Sequence, residues 1–159
     1  MPIIIDGYNL LRAIQMANED PESINDVQLC RLLSSYFKLI GEEGEIIFDG
    51  TGPRDKQKFE DMGNLEVIFA GPGSDADTII EDKISASTAP KRLTVVSSDR
   101  RLRRAARTRR ATAVKSLDFW DDVHKQLSRK RPPKEPPGKR QGISEGETDQ
   151  WLKLFKLDK

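Results

Sequence analysis

Acidic residues follow the ends of four successive apolar segments of the chain. They are Asp6, Asp49, the pair Asp75 and Asp77, and Asp99. Carboxylates gathered at one place repel one another unless a cation is present, and Mg²⁺ and Mn²⁺ favour carboxylate and water oxygens. One or two such ions can activate a water molecule and stabilise the leaving oxygen in phosphodiester cleavage. The acidic residues therefore predict a magnesium or manganese site that acts on phosphate esters.

Several residues near these acids have both a functional and a structural interpretation. Glu81 lies four residues after Asp77, so the two carboxylates share one face if the segment is helical. Asn9, Ser74 and Ser98 are residue types that cap helices, and Ser74 and Asp77 have the spacing of a capping box. Capping explains single residues, but it does not explain acidic residues at four successive strand ends.

The sequence offers little for other kinds of catalytic site. The single cysteine, Cys30, lies on the apolar stripe of a predicted helix, so one chain cannot build a disulfide or a cysteine-based zinc site. The single histidine, His124, lies far along the chain from the acidic residues, and we interpret it as an ordinary helix residue. The segment 71–73 lacks the spacing of a phosphate-binding glycine loop.

Strands and helices are predicted to alternate along the first 128 residues. Continuous apolar runs predict strands over 2–5, 45–48, 65–70, 93–96 and 112–115. The first run is expected to end in a turn at Asp6-Gly7. Apolar residues near a 3.6-residue period predict helices over 23–40, 74–87, 99–110 and about 117–127. This alternation predicts an α/β fold with a parallel sheet and helices on both faces. In such a sheet, ligands bind beyond the carboxyl ends of the strands, which is where the acidic residues lie.

Charge is distributed unevenly along the chain. Residues 1–99 carry nine basic and 18 acidic residues, whereas residues 100–159 carry 18 basic and eight acidic ones. Seven of the eleven residues from Arg100 to Arg110 are arginines, whose guanidinium groups suit phosphate recognition. A solvated helix face is the alternative, but acidic neighbours within the segment are missing. We therefore predict that this helix binds a polyanion.

The last 31 residues are expected to lie outside the folded domain, which we place at residues 1–128. Residues 129–143, rich in proline and basic side chains, are interpreted as a linker. Residues 144–159 have a capping-box start at Ser144 and Glu147 and predict an amphipathic helix, which would pack against its own domain, a second copy or a partner. The oligomeric state stays open. Because no apolar run approaches the ~20 residues that span a bilayer, we expect a cytoplasmic protein without membrane contact.

Four short motifs surround the acidic residues. They are Asp6-Gly7-Tyr8-Asn9-Leu10-Leu11, Phe48-Asp49, Asp75-Ala76-Asp77 followed by Ile80-Glu81, and Ser97-Ser98-Asp99. Together they resemble the YacP-like family of the NYN branch of the PIN-like nucleases, over residues 3 to about 127 and in the C-terminal helix. The resemblance implies a three-layer PIN-like fold with a mostly parallel sheet in the order 3-2-1-4-5, helices on both faces and a C-terminal helical tail. Asp6 and Asp99 would then face each other across neighbouring strands.

The same resemblance implies cleavage of RNA that depends on Mg²⁺ or Mn²⁺, with messenger RNA on the ribosome as the setting reported for the family. By residue matching, the catalytic set comprises Asp6, Asn9, Asp77 and Asp99. Of these, Asp6, Asp77 and Asp99 are expected to bind the metal. Supporting roles fall to Glu81, Ser98, Asp49 at the rim, and Asp75, which adds a carboxylate outside the family pattern. The expected RNA-binding residues are Arg12, Arg100, Arg101, Arg103, Arg104 and Arg107.

Three functions are consistent with these residues. The leading hypothesis is a metal-dependent endoribonuclease. The first alternative is a non-catalytic module that binds RNA or the ribosome. The second is a phosphohydrolase of small nucleotides, which the long basic surface disfavours.

Overall fold

The chain is seen in a computed structural model that describes residues 2–18, 24–54 and 56–129. Its centre is a sheet of the strands β1 (Ile3–Asp6), β2 (Gly44–Phe48), β3 (Leu65–Phe69), β4 (Thr94–Val96) and β5 (Thr112–Val114). The described residues also form the helices α1 (Gly7–Ala17), α2 (Asp26–Ile40), α3 (Ala76–Ala86), α4 (Arg100–Thr108) and α5 (Ser116–Arg129). Short 3₁₀ helices at Gln57–Phe59 and Pro90–Arg92 precede β3 and β4.

The five strands are all parallel and lie in the order β3-β2-β1-β4-β5. This confirms the predicted α/β fold and the strand order that the resemblance implied. The chain builds the sheet outward from β1 to β3 and then returns to add β4 on the other side of β1. Ile5 consequently pairs with Ile46 of β2 and with Val96 of β4. The strand order therefore reverses between β1 and β4.

Alternate residues of β1 contribute to two separate apolar layers. Ile3 and Ile5 belong to the cluster formed with α1, α2 and α5, whereas Ile4 belongs to the cluster formed with α3 and α4. The first cluster contains aliphatic and aromatic side chains and the second only aliphatic ones, and burial of a large apolar side chain stabilises a fold by about 1.5–3 kcal/mol relative to an exposed position. The helices therefore cover both faces of the sheet, as predicted.

The start of α1 differs from the expected turn at Asp6-Gly7. β1 includes Asp6, and α1 begins at Gly7 without an intervening turn. This helix was not predicted, although Leu10, Leu11 and Ile14 form its buried side. A glycine is needed at position 7 because a Cβ atom there would lie 2.5 Å from the Phe48 ring. Helix α1 can therefore start directly against β2.

Two residues define the ends of α2. Asn25 caps its start in a capping box with Gln28, and Gly41, with a φ of 69°, ends it as predicted. The predicted start at Ser23 lies outside the described residues.

Helix α5 is the last element that the structure describes. This helix continues to Arg129, which the sequence analysis placed in the linker. The rest of the predicted linker and the predicted C-terminal helix lie outside the described residues. Within the part of the chain that the structure describes, no helix is long and apolar enough to cross a membrane.

The close approach of α1 to β2 gives a test of the fold. We expect Gly7→Ala to lower the free energy of unfolding by about 1–3 kcal/mol, because the added methyl group overlaps the Phe48 ring and the Ile47 carbonyl oxygen. Gly73→Ala is the matched control, since nothing lies within 4 Å of a Cβ atom there, and it should change stability by less than about 0.5 kcal/mol. Urea denaturation measures both. Equal effects would show that position 7 tolerates a side chain.

Candidate active site

Asp6 and Asp99 are joined through Ser97 at the point where the strand order reverses. The hydroxyl group of Ser97 donates to Asp6 Oδ2 at 3.1 Å, and its oxygen accepts from the backbone N–H of Asp99 at 3.0 Å. Ser97 is fully buried and the Asp6 residue is 7% exposed. Ser97 thus links the Asp6 carboxyl group to the backbone of Asp99 across β1 and β4.

Ser97 contacts both Asp6 and Asp99, but only its neighbour Ser98 was predicted from the sequence. The signal was the strand register, which only the structure provides. Ile5 pairs with Val96, so the next residues along the two strands, Asp6 and Ser97, come to lie side by side. A serine at that position supplies the one side-chain hydrogen bond that Asp6 accepts among the described residues.

Asn9 and Ser98 form a clamp around this edge. Asn9 Oδ1 accepts from the backbone N–H of Ser98 at 2.9 Å and from the hydroxyl group of Ser116 at 2.7 Å. Ser98 Oγ accepts from the backbone N–H of Ser116 at 3.2 Å. The clamp ties α1 to the β4–α4 loop and to the first residue of α5. Asn9 and Ser98 thus lie beside the acidic pair, and Ser116 was not predicted from the sequence.

Asp49 and Asp77 bring two further carboxylates to the same edge. Asp49 Oδ1 accepts from the backbone N–H of Ala76 at 2.7 Å, which fixes the end of β2 to the start of α3. Asp77 lies in the first turn of that helix and is partly buried. Partial burial, followed by the nearby Asp99 carboxylate, raises the pKa of Asp77 above its ordinary value.

The Asp6 carboxyl group has the largest pKa shift of the acidic set. Its pKa rises from an ordinary 3.8 to about 6, chiefly because burial removes its hydration. The hydrogen bond from Ser97 lowers this pKa, and the carboxylates of Asp77, Asp49 and Asp99 raise it further. Burial and these neighbouring negative charges together make the ionised form of Asp6 costly without a cation.

Two of the predicted acids are helix caps. Asp75 caps α3 by accepting from the backbone N–H of Thr78 at 2.7 Å, and this lowers the pKa of its exposed carboxyl group. Asp99 caps α4, with Oδ1 accepting from the N–H groups of Arg101 and Leu102. These acids, rather than the serines at 74 and 98, hold the N-cap positions because each lies directly before its helix.

Glu81 is turned toward the basic helix. It forms an ion pair with Arg101 of α4, so its carboxylate is shared with a cation. This acidic partner of Arg101 lies on another helix, so it could not be identified within the arginine run itself. Arg12 is exposed on α1.

The acidic set fits a hard divalent cation by its chemistry. Its ligands are carboxylate oxygens, which Mg²⁺ and Mn²⁺ prefer, and a cation would offset the cost of ionising Asp6, which burial and three neighbouring carboxylates raise. As the side chains stand, however, no three acidic, histidine or cysteine residues in the described ranges converge closely enough to surround an ion. The carboxylates therefore supply the charge for a metal site without forming a closed ligand shell.

The family model of the YacP-like NYN domain matches residues 3–155. The chain belongs to the YacP-like NYN domain family. NYN domains are a nuclease-like group within the PIN-like superfamily, so membership supports a ribonuclease activity in general, and such domains generally depend on divalent metals. The prediction of this family from the four motifs is confirmed.

Two crystal structures of Rae1 (YacP) from Bacillus subtilis are similar to this NYN domain. One aligns with a TM-score of 0.69 and 21% identity, over 99% of this chain and 96% of the other. The second, a tryptophan-to-leucine mutant, aligns with a TM-score of 0.58 and 20% identity, over 97% of this chain and 91% of the other. At this identity the similarity establishes the fold. None of the curated proteins matches the chain significantly.

The raised pKa of Asp6 predicts a pH-dependent gain in stability when its charge is removed. Ionising Asp6 costs free energy of folding; the cost is absent below its ordinary pKa of 3.8, grows as the pH rises, and is complete above about 6. Without divalent ions, Asp6→Asn should therefore stabilise the NYN domain by up to about 3 kcal/mol above that pH, and the gain should vanish in acid. Urea denaturation over a pH series measures it.

Asp118→Asn is the control for this prediction, because Asp118 is exposed in the first turn of α5. Its substitution should give no comparable gain at any pH. If Asp6→Asn is less stable than the wild-type protein at every pH, the raised pKa of the buried Asp6 carboxyl group is contradicted.

Proposed function

We propose that this protein is a metal-dependent endoribonuclease that cleaves RNA phosphodiester bonds. The observation that carries the proposal is the group of carboxylates at the β1–β4 edge, where the negative charges of Asp77, Asp49 and Asp99 repel that of the buried Asp6. A divalent cation offsets that repulsion, and family membership makes RNA the expected substrate. Messenger RNA on the ribosome is the setting that the family resemblance adds.

The carboxylates of Asp6, Asp77 and Asp99 would hold Mg²⁺ or Mn²⁺. A bound ion would supply an activated water and stabilise the leaving oxygen. The remaining contacts orient these ligands: Ser97 holds Asp6 and the Asp99 backbone, and the first N–H groups of α4 hold Asp99. Supporting hydrogen bonds of this kind fix the direction of metal ligands and are needed for affinity.

Asn9 and Asp49 would act through position rather than by direct contact with the phosphate. The side-chain oxygen of Asn9 accepts one hydrogen bond from the β4–α4 loop and one from the start of α5, and Asp49 Oδ1 fixes the start of α3. The β4–α4 loop presents Asp99, and the start of α3 presents Asp77. Both residues would therefore set the geometry of the metal ligands.

A non-catalytic module that binds RNA or the ribosome is the second candidate. The observation that favours it is the engagement of oxygens of Asp49 and Asp99 with backbone N–H groups, together with the lack of three converging ligands in the described residues. Such a module would bind RNA equally well with and without a divalent ion.

Asp99→Asn separates these two functions. Asparagine caps a helix as well as aspartate does, so α4 is retained while one charge is lost. We expect Mn²⁺-dependent cleavage to fall at least ~100-fold, as when a metal site loses an important contact, while RNA affinity in EDTA is not weakened. Cleavage is measured on purified single-stranded RNA and on messenger RNA bound to ribosomes.

Asp82→Asn is the matched control, because Asp82 is exposed on α3. It removes the same charge and should leave cleavage unchanged. If the wild-type protein cleaves neither substrate with Mg²⁺ or Mn²⁺, the endoribonuclease proposal fails and the binding module is favoured. If Asp99→Asn cleaves normally, the assignment of Asp99 as a metal ligand fails.

A further inference from the structure

A groove of about 650 Å³ runs along α4 beside the acidic edge. Its basic lining residues are Arg100, Arg103, Arg104, Arg107 and Lys115, and the hydroxyl groups of Ser98 and Thr108 complete it. Lys115 was not predicted to bind RNA, because it follows β5 and only the fold brings it opposite α4. The groove therefore gathers charge from two separate segments.

The four groove arginines form one stripe of α4. They lie at the spacing i, i+3, i+4 and i+7, which is a single helix face, and Leu102 and Ala106 are buried on the other side. Like charges three and four residues apart destabilise a helix. A polyanion lying along the stripe would offset that repulsion.

The other arginines of the run have different positions. Arg101 pairs with Glu81, and Arg109 donates to the Ser87 carbonyl oxygen at 2.8 Å. Arg110 is exposed beyond the end of α4, with a φ of 65°. These three side chains do not line the groove, so the run divides into groove arginines and arginines outside it.

The groove opens directly from the acidic edge. Arg103 Nη1 donates to the Ser97 carbonyl oxygen at 3.4 Å, and the Ser97 side chain contacts Asp6 and the Asp99 backbone. Ser98 lines the groove and belongs to the Asn9 clamp. A chain of phosphates could therefore continue from the acidic edge into the groove.

Building on the nuclease function proposed above, we infer that this groove holds the backbone of a single RNA strand on the β5 side of the cleaved phosphate. Asp6 is only 7% exposed between the ends of neighbouring strands, and the groove arginines form a single row, so this surface suits one strand rather than a duplex. Arginine and lysine contacts to phosphates carry no sequence information. Binding on this side is therefore independent of base sequence.

The test compares two double variants that each remove two positive charges near the same helix. Arg104→Gln with Arg107→Gln lies in the groove, whereas Arg109→Gln with Arg110→Gln lies outside it. We measure affinity for a labelled single-stranded RNA of mixed sequence by fluorescence anisotropy, in EDTA, over a series of KCl concentrations. Each phosphate contact on a single strand contributes about 0.7 to the salt slope. The groove variant should therefore lower that slope by about 1.4, and the outer variant should leave it near the wild-type value.

Three outcomes would overturn the inference. They are equal slopes for the two variants, undetectable RNA binding by the wild-type protein, and duplex RNA bound with the same dependence on Arg104 and Arg107. Thermal melting of both variants is the control that they are folded. Because binding is measured in EDTA, this result is independent of cleavage. If Asp99→Asn loses cleavage but the two variants have equal salt slopes, the nuclease proposal stands and the groove is rejected as the RNA-binding surface.

Discussion

Burial of the Asp6 carboxyl group beside Ser97 is the constraint on which the acidic edge depends. It requires β1 and β4 to be neighbours in register, because only then does the residue after Val96 lie beside Asp6. That pairing in turn requires the chain to return across the sheet after β3. The strand order, the position of Asp99 and the start of α4 all follow from it.

Hydrogen bonds from backbone N–H groups offset part of the free-energy cost of gathering these carboxylates. Asp49, Asp75 and Asp99 each accept backbone N–H groups at the start of a helix, where the helix dipole favours negative charge. Asp6 has no such contact and is the acid with the pKa of about 6. The edge thus combines carboxylates that accept backbone N–H groups with a buried one that accepts only the Ser97 hydroxyl group among the described residues, which is typical of sites where stability is given up for function.

Much of the fold could be predicted from the sequence because the strands are short, continuous apolar runs with clear ends. Helix α1 could not be predicted, because a glycine directly after a strand usually indicates a turn. The reason for a glycine at the helix start is the close approach of the Phe48 ring to Gly7. The strand order came from family motifs, because periodicity contains no information on which strands are neighbours. The acidic residues were predicted by type and position, whereas Ser97, Ser116 and the Glu81–Arg101 pair depend on contacts between elements distant in sequence.

Helix α5 connects the clamp of Asn9 and Ser98 to the end of the described residues. It begins at Ser116, which is hydrogen-bonded to Asn9 and Ser98, and it ends about 20 Å away at Arg129, the last described residue before the chain continues. The position of α5 therefore bears on the loop that holds Asp99, because Ser116 is bonded to both sides of the clamp. The helix is anchored on the way by a hydrogen bond of 2.7 Å between Tyr36 and Asp122. Contacts of α2 with the middle of α5 and contacts of α1 with its start thus act on the acidic edge through the same helix.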